Sequence, residues 1–191
     1  YAHLFRIAQH HGLRVYLTTD VMFYAAGLDV RRGWDVEERI VPFFRYVLYD
    51  LFSSFDNLAG IIFRIGESDG LDHHGDFHSK LAIRTPKDAR RFIAELLPLF
   101  EREERDMIFR TWTVGAYRIG DLQWNRNTFD QVFKGVESDH FIISMKYGES
   151  DFFRYLPLNK LFFRSSHRKI IELQARREYK GFGEYPSFTG W

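Results

Sequence analysis

Three carboxylates that lie far apart along the chain each follow or interrupt an apolar run. Glu67 comes just after Ile61-Ile62-Phe63, Asp151 follows Phe141–Lys146 across a Tyr147-Gly148-Glu149-Ser150 turn, and Glu172 sits inside Ile170-Ile171-Glu172-Leu173. An acid flanked by isoleucines and a leucine bears a desolvation cost unless it faces a polar interior. Opposed carboxylates in such a setting can cleave a glycosidic bond: one protonates the leaving oxygen, the other activates water or attacks carbon. The competing assignment for Glu172 is structural, an ion pair with Arg64 or Arg110.

Arg64, Arg110 and Lys146 occupy inward or rim positions on three successive apolar runs. Such cations commonly neutralise nearby carboxylates. Here they exceed what Glu67, Asp151 and Glu172 require if Asp69 and Glu149 stay solvated. A carboxylated sugar such as a uronic acid accounts for the surplus, since arginine holds a carboxylate bidentately. Trp112, two residues beyond Arg110, offers an apolar plate for a sugar face, and simple core packing explains it equally well.

Asp72-His73-His74-Gly75-Asp76-Phe77-His78 contains metal-ligand residue types, but its spacing fits no defined structural motif. A solvated or substrate-lining loop is the preferred assignment, and a metal-assisted hydrolase using His73, His74 and His78 ranks last. Gly181-Phe182-Gly183 lacks the Lys-Ser/Thr of a phosphate loop, and no G-x-S-x-G elbow supports Ser165-Ser166-His167 as a nucleophile site. No cofactor or metal is expected.

The elements that position these residues alternate in type. Tyr1 to His11 reads as a helix stopped by Gly12, and Leu13 to Thr19 as a strand. Val36 to Phe55 carries apolar residues at spacings of three and four, so a helix is expected there. Leu58 to Ile65 is a buried strand, Thr85-Pro86 opens a helix with a cap and a proline, and Met107 to Val114 is a strand. Thr128 to Phe133 reads as a short helix, His140 to Lys146 as a strand, Phe162 to Arg168 as a turn or helix start, and Lys169 to Gln174 as a strand.

Five strands, apolar on both faces and separated by helices or loops, imply a parallel sheet covered by helices. A doubly wound sheet would ordinarily carry a glycine-rich loop after its first strand, but Asp20-Val21-Met22-Phe23-Tyr24 stands there. Polar residues at nearly every strand's carboxyl end favour the mouth of a (β/α)8 TIM barrel. The expectation is therefore an α/β chain forming one domain over residues 1–191, a barrel fragment with about five of the strands.

Composition narrows the classes. With Lys+Arg 27 against Asp+Glu 26, the chain lacks the basic surplus of a nucleic-acid binder. Zero cysteines exclude a disulfide scaffold, thiolate zinc ligation and thiol catalysis. No apolar run approaches the roughly 20 residues of a membrane span. The opening Tyr1-Ala2-His3-Leu4-Phe5-Arg6 has neither an initiator Met nor a long apolar stretch, so compartment is not readable from it. The expected partner is an oligosaccharide or polysaccharide.

Three stretches together resemble a known family: Ile108-Phe109-Arg110-Thr111-Trp112-Thr113-Val114; Asp139 to Phe152, containing Lys146-Tyr147-Gly148 and Asp151-Phe152; and Ile171-Glu172-Leu173-Gln174 followed by Arg177-Glu178-Tyr179-Lys180-Gly181. Order and spacing are similar to those of the α-glucuronidases of glycoside hydrolase family 67. Gly60 to Glu67 resembles that family's strand ending in its acid glutamate. The resemblance implies a TIM-barrel hydrolase in which Glu67 is the general acid and Asp151 and Glu172 activate water with inversion. It further implies that Arg110 and Lys146 bind the glucuronate carboxylate, with Arg64 where the family has a lysine. Gly66-Glu67-Ser68 stands in place of Ser-Glu-Gly, and Tyr147 replaces an asparagine in the sugar-recognition shell. A non-catalytic carbohydrate-binding or scaffolding domain is the alternative function.

Overall fold

The computed structural model describes residues 1–21, 23–25, 36–66, 77–79, 81–113, 117–149 and 157–173, with 23–25, 36–37 and 77–79 described by backbone alone. Helix α1, Ala2–His10, ends where Gly12 takes φ +69° and the Leu13 amide turns back to the Ala8 carbonyl at 2.9 Å. Glycine enters that left-handed region without the Cβ clash of other residues. Strand β1, Val15–Asp20, follows, then β2, Phe23–Ala25. A π-helical turn, Val36–Ile40, leads into α2, Val41–Ser54, with Pro42 at its first turn.

Strand β3 is Leu58–Arg64 and β4 is Phe77–Ser79. Helix α3, Pro86–Arg102, starts in a capping box: the Asp88 amide donates to Thr85 Oγ1 at 3.2 Å, and the Thr85 amide to Asp88 Oδ2 at 2.8 Å. Strand β5, Asp106–Arg110, helix α4, Arg126–Phe133, strand β6, Phe141–Lys146, a 3₁₀ turn over Lys160–Phe163 and strand β7, Arg168–Glu172, complete the order.

The fold is mixed α/β. Its main sheet has five parallel strands in the order β1-β3-β5-β6-β7, sequential along the chain with no reversal. Strands β2 and β4 form a separate antiparallel pair from segments that follow β1 and β3. Sequence periodicity does not anticipate this pair, because three residues are too few for an alternation to register.

The helices between strands all pack on one sheet face. Phe63 on β3 meets Phe44 of α2 at 5.5 Å between ring centroids, and Phe92 and Phe100 of α3 at 5.1 and 5.9 Å. Phe109 on β5 and Phe141 on β6 both meet Phe133 of α4 at 6.0 Å. Most of these contacts are edge-to-face, the geometry the ring quadrupole favours. A doubly wound sheet would reverse its strand order and carry helices on both faces.

The expectation of strands apolar on both faces needs correction. On the face opposite the helices, parallel register aligns residues into rows. Tyr16, Gly60 and Asp106 form the row nearest the strands' amino ends, and Thr18, Ile62, Ile108, Ile142 and Arg168 a middle row that is apolar across its three central strands. Asp20, Arg64, Arg110 and Ser144 form the next row, with Lys146 and Glu172 aligned beyond it. That face is apolar only at its waist.

At the amino end the polar row is closed on itself. Asp106, 3% exposed, accepts from Arg14 and Tyr16 at 2.7 Å each, and from Arg168 at 3.2 Å. Tyr16 reaches from β1 to β5 across β3 because the residue between them is Gly60. A Cβ at Gly60 would lie 2.1 Å from the Asp106 carbonyl oxygen. Burial, then the hydrogen bond to Asp106 and its charge, push the Tyr16 phenol up to about 12.

Candidate functional site at the carboxyl ends of the strands

The polar residues at the opposite end of this face come from every strand of the main sheet. Arg110 Nε donates to Glu172 Oε1 at 2.9 Å and to Oε2 at 2.7 Å. Ser144 Oγ, on the strand between them, donates to Glu172 Oε1 at 2.7 Å. Arg110 and Glu172 are 19% and 23% exposed in their side chains, so the pair is partly shielded from solvent. A carboxylate offers about four acceptor positions. The bonds from Arg110 and Ser144 leave room for one further donor, on the side of Oε2.

Arg64 Nε lies 3.1 Å from Asp20 Oδ1 on the neighbouring strand. Lys146 is buried, 8% exposed, with Nζ 3.7 Å from the centroid of the Trp112 ring. A cation over an indole face at that distance is attracted by the ring quadrupole. The same contact brings the Trp112 ring, two residues past the end of β5, to Lys146, which is paired with Glu172.

A buried amide holds the loop after β6. Gln123 Oε1 accepts from the Thr111 hydroxyl, and its Nε2 donates to the Gly148 carbonyl at 3.0 Å and the Lys146 carbonyl at 3.3 Å. Asn159 Nδ2 donates to the Gln123 carbonyl at 2.6 Å, and the Asn159 amide to the Tyr147 carbonyl at 2.7 Å. The Tyr147 amide in turn donates to the Glu172 carbonyl at 2.9 Å. Gln123 and Asn159 are 0% and 1% exposed. Such fully satisfied buried networks set backbone position, here that of Lys146 to Gly148.

Five of the sequence-derived site residues, Arg64, Arg110, Trp112, Lys146 and Glu172, therefore share one sheet face and one end of it, and Tyr147 follows directly. Glu67 and Asp151 lie outside the described residues, as do Asp72, His73, His74 and Asp76; for His78 only the backbone in β4 is described. Among the described residues no group of three His, Asp or Glu side chains is placed to hold a metal ion.

Asp20, Ser144 and Gln123 join the site without having been singled out as ligands of the charged residues. For Asp20 and Ser144 the missing information was register, because pairing partners 44 and 28 positions along the chain are fixed only by the ladder. Gln123 did leave a signal, an amide between Leu122 and Trp124, which is a costly choice unless both its ends are bonded.

The arrangement brings three cations, two carboxylates and an indole ring together at one end of the sheet. No protein family and no curated protein matches the chain.

Proposed function

We propose that this end of the sheet is the substrate site of a glycoside hydrolase acting on an acidic, uronic acid-containing oligosaccharide or polysaccharide, in the manner of an α-glucuronidase. On this reading the five strands are consecutive strands of a (β/α)8 barrel, whose mouth lies at their carboxyl ends. The single observation that supports it most is the convergence of Arg64, Arg110 and Lys146 with Trp112 on the helix-free face, at one end.

The roles follow from the chemistry. Arg110 and Lys146 hold the sugar carboxylate, and Trp112 supports the ring. Glu67 donates its proton to the glycosidic oxygen as the bond to the anomeric carbon breaks. Water attacks that carbon from the opposite side, and its proton passes to the carboxylate pair of Asp151 and Glu172. Inversion requires the acid and base carboxyls about 6.5–9.5 Å apart.

The test uses the full-length chain with aryl α-glucuronides and uronic oligosaccharides. Glu67→Gln is expected to lower kcat by about 10²–10⁴-fold, the usual worth of a positioned acid, with inverted product seen by NMR. Unchanged turnover in that variant would overturn the assignment.

A second reading, a carbohydrate-binding or scaffolding domain without turnover, is favoured by one observation: Arg110 and Ser144 already occupy most of Glu172's acceptor capacity. It predicts uronate binding by calorimetry with no product from any uronide.

A further inference from the structure

Strand β7 stands last in the main sheet, and among the described residues no strand pairs with its outer edge. Edge strands are ordinarily blunted by charge, proline or a bulge. β7 instead presents apolar residues on both faces: Ile170 is 39% and Ile171 37% exposed, and Leu173, just beyond, is 55% exposed. Its lysine does not guard the edge, because Lys169 Nζ turns back to donate to the Ser165 and His167 carbonyls. Exposed Phe163 extends the apolar surface on that side, its ring 5.5 Å from that of Phe162, which Lys169 approaches.

The backbone fixes which residues could accept a further strand. The Glu172 carbonyl accepts from the Tyr147 amide, so Glu172 directs its backbone groups toward β6. Alternate residues of a parallel strand face opposite neighbours. Arg168 and Ile170 therefore bond inward with Glu172, whereas Lys169 and Ile171 point their amides and carbonyls outward.

The order of charges along β7 selects the occupant. It reads Arg168-Lys169-Ile170-Ile171-Glu172, basic at its start and acidic at its end. A second copy running antiparallel, centred on Ile170, sets Arg168 opposite Glu172 on both sides of an Ile170–Ile170 contact. It also makes Lys169 and Ile171 the hydrogen-bonded pairs, as their outward backbone groups require. Centring on Lys169 would oppose two lysines, and centring on Ile171 would leave Arg168 without Glu172. Arg168 uses Nη1 for Asp106 and the Asp139 carbonyl, which keeps Nη2 for another acceptor. The Glu172 acceptor position left beside Oε2 is such a partner.

We propose that β7 pairs antiparallel with β7 of a second copy, joining two five-stranded sheets across a two-fold axis and bringing the partner's Arg168 to Glu172. This interface goes beyond the hydrolase reading and stands or falls without it, since neither its geometry nor its test involves a sugar.

The test is sedimentation of the whole chain over a concentration series, where a dimer is expected. Ile171→Pro removes an amide hydrogen that points away from the sheet, a substitution an edge strand tolerates. That variant is expected to keep its circular dichroism and sediment as a monomer. The chain has no cysteine, so Ile170→Cys supplies a single thiol. Opposed residues of a non-hydrogen-bonded antiparallel pair lie about 4.5 Å apart at Cα, within disulfide reach. Mild oxidation should therefore link Ile170→Cys into a covalent dimer and leave Ile171→Cys largely unlinked. A parent chain that stays monomeric at every concentration, or cross-linking at 171 in preference to 170, would overturn the proposal.

Discussion

Arg110 on β5 reaches across β6 to Glu172 on β7, which lies one row further along the sheet, and Ser144, the β6 residue paired with Arg110, adds its own hydrogen bond to the same carboxylate. The amino end of the same face repeats the arrangement. There Tyr16 on β1 reaches Asp106 on β5 across Gly60 on β3. In both cases a long donor spans about 9–10 Å, two strand spacings, and the middle-strand residue paired with the donor is small.

The Arg110–Glu172 interaction should therefore be measurable as a coupling. A double-mutant cycle of Arg110→Ala and Glu172→Gln, followed by urea unfolding, is expected to give about 1–3 kcal/mol, the range for a charge-assisted hydrogen bond in a shielded setting. Ser144→Leu should abolish most of that coupling with both partners still present.

Gly60→Ala is expected to be severe. The added carbon would fall 2.1 Å from a backbone oxygen in a paired strand, where no side chain can swing aside. A loss of about 3 kcal/mol or more, at the upper end for overpacking, should appear as a lowered urea midpoint.

Alkaline pH should weaken the fold through Tyr16. Its phenol rises from 10.0 to about 12 in the folded chain. The folded state thus holds this proton more tightly than the unfolded state does. The contribution is complete below pH 10 and disappears as pH climbs through about 12. Ultraviolet titration of tyrosinate should show one late-ionising tyrosine that Tyr16→Phe removes, and the alkaline loss of stability should shrink in that variant.

Mild acid should act through His167. Its Nε2 lies 2.6 Å from the Val136 carbonyl and must carry the hydrogen, while Nδ1 is buried without a partner. Burial lowers its affinity for a second proton below the ordinary 6.5. Stability from this neutral ring is present above that value and fades as pH falls through the lowered one. His167→Gln should flatten this part of the stability–pH curve, and NMR should follow the titration directly.

Lys146→Met separates the charge from the packing at the site. The variant keeps an unbranched chain over Trp112 and is expected to fold. Affinity for glucuronate should fall tenfold or more by calorimetry, the order expected for loss of a charged contact. Unaltered glucuronate affinity would remove Lys146 from the site.

Much of the scaffold was legible because apolar periodicity is strong where elements are buried. Leu58 to Ile65 and His140 to Lys146 emerge within a residue or two of their observed limits, while the helix expected over Val36 to Phe55 divides into a π-helical turn, Val36–Ile40, and α2, Val41–Ser54. The end of β5 was overextended: past Arg110 the Thr111 hydroxyl turns to Gln123, a partner 12 residues on that no local pattern reveals. Residue type and strand-end position placed Arg64, Arg110, Lys146 and Glu172 at the carboxyl ends of their strands, where the ladder has them. They did not reveal that Glu172 would be shared by Arg110 and Ser144, or that Arg64 would answer to Asp20. Those pairings depend on which rungs of the ladder face each other, information that exists only once five strands are in register. Asp106 left a weaker sign, an acid opening the apolar run Met107-Ile108-Phe109, whose partners Tyr16, Arg14 and Arg168 lie about 60 to 90 positions away.

The bare rungs at Gly60 and Ser144 also set how this protein can vary. Exposed positions on the outer helices can drift freely. At these two, acceptable side chains are limited by the reach of groups two strands away, and a larger residue at either would cut a tie between strands that never touch. A saturation library should therefore find both positions confined to the smallest amino acids, even though neither side chain performs chemistry of its own.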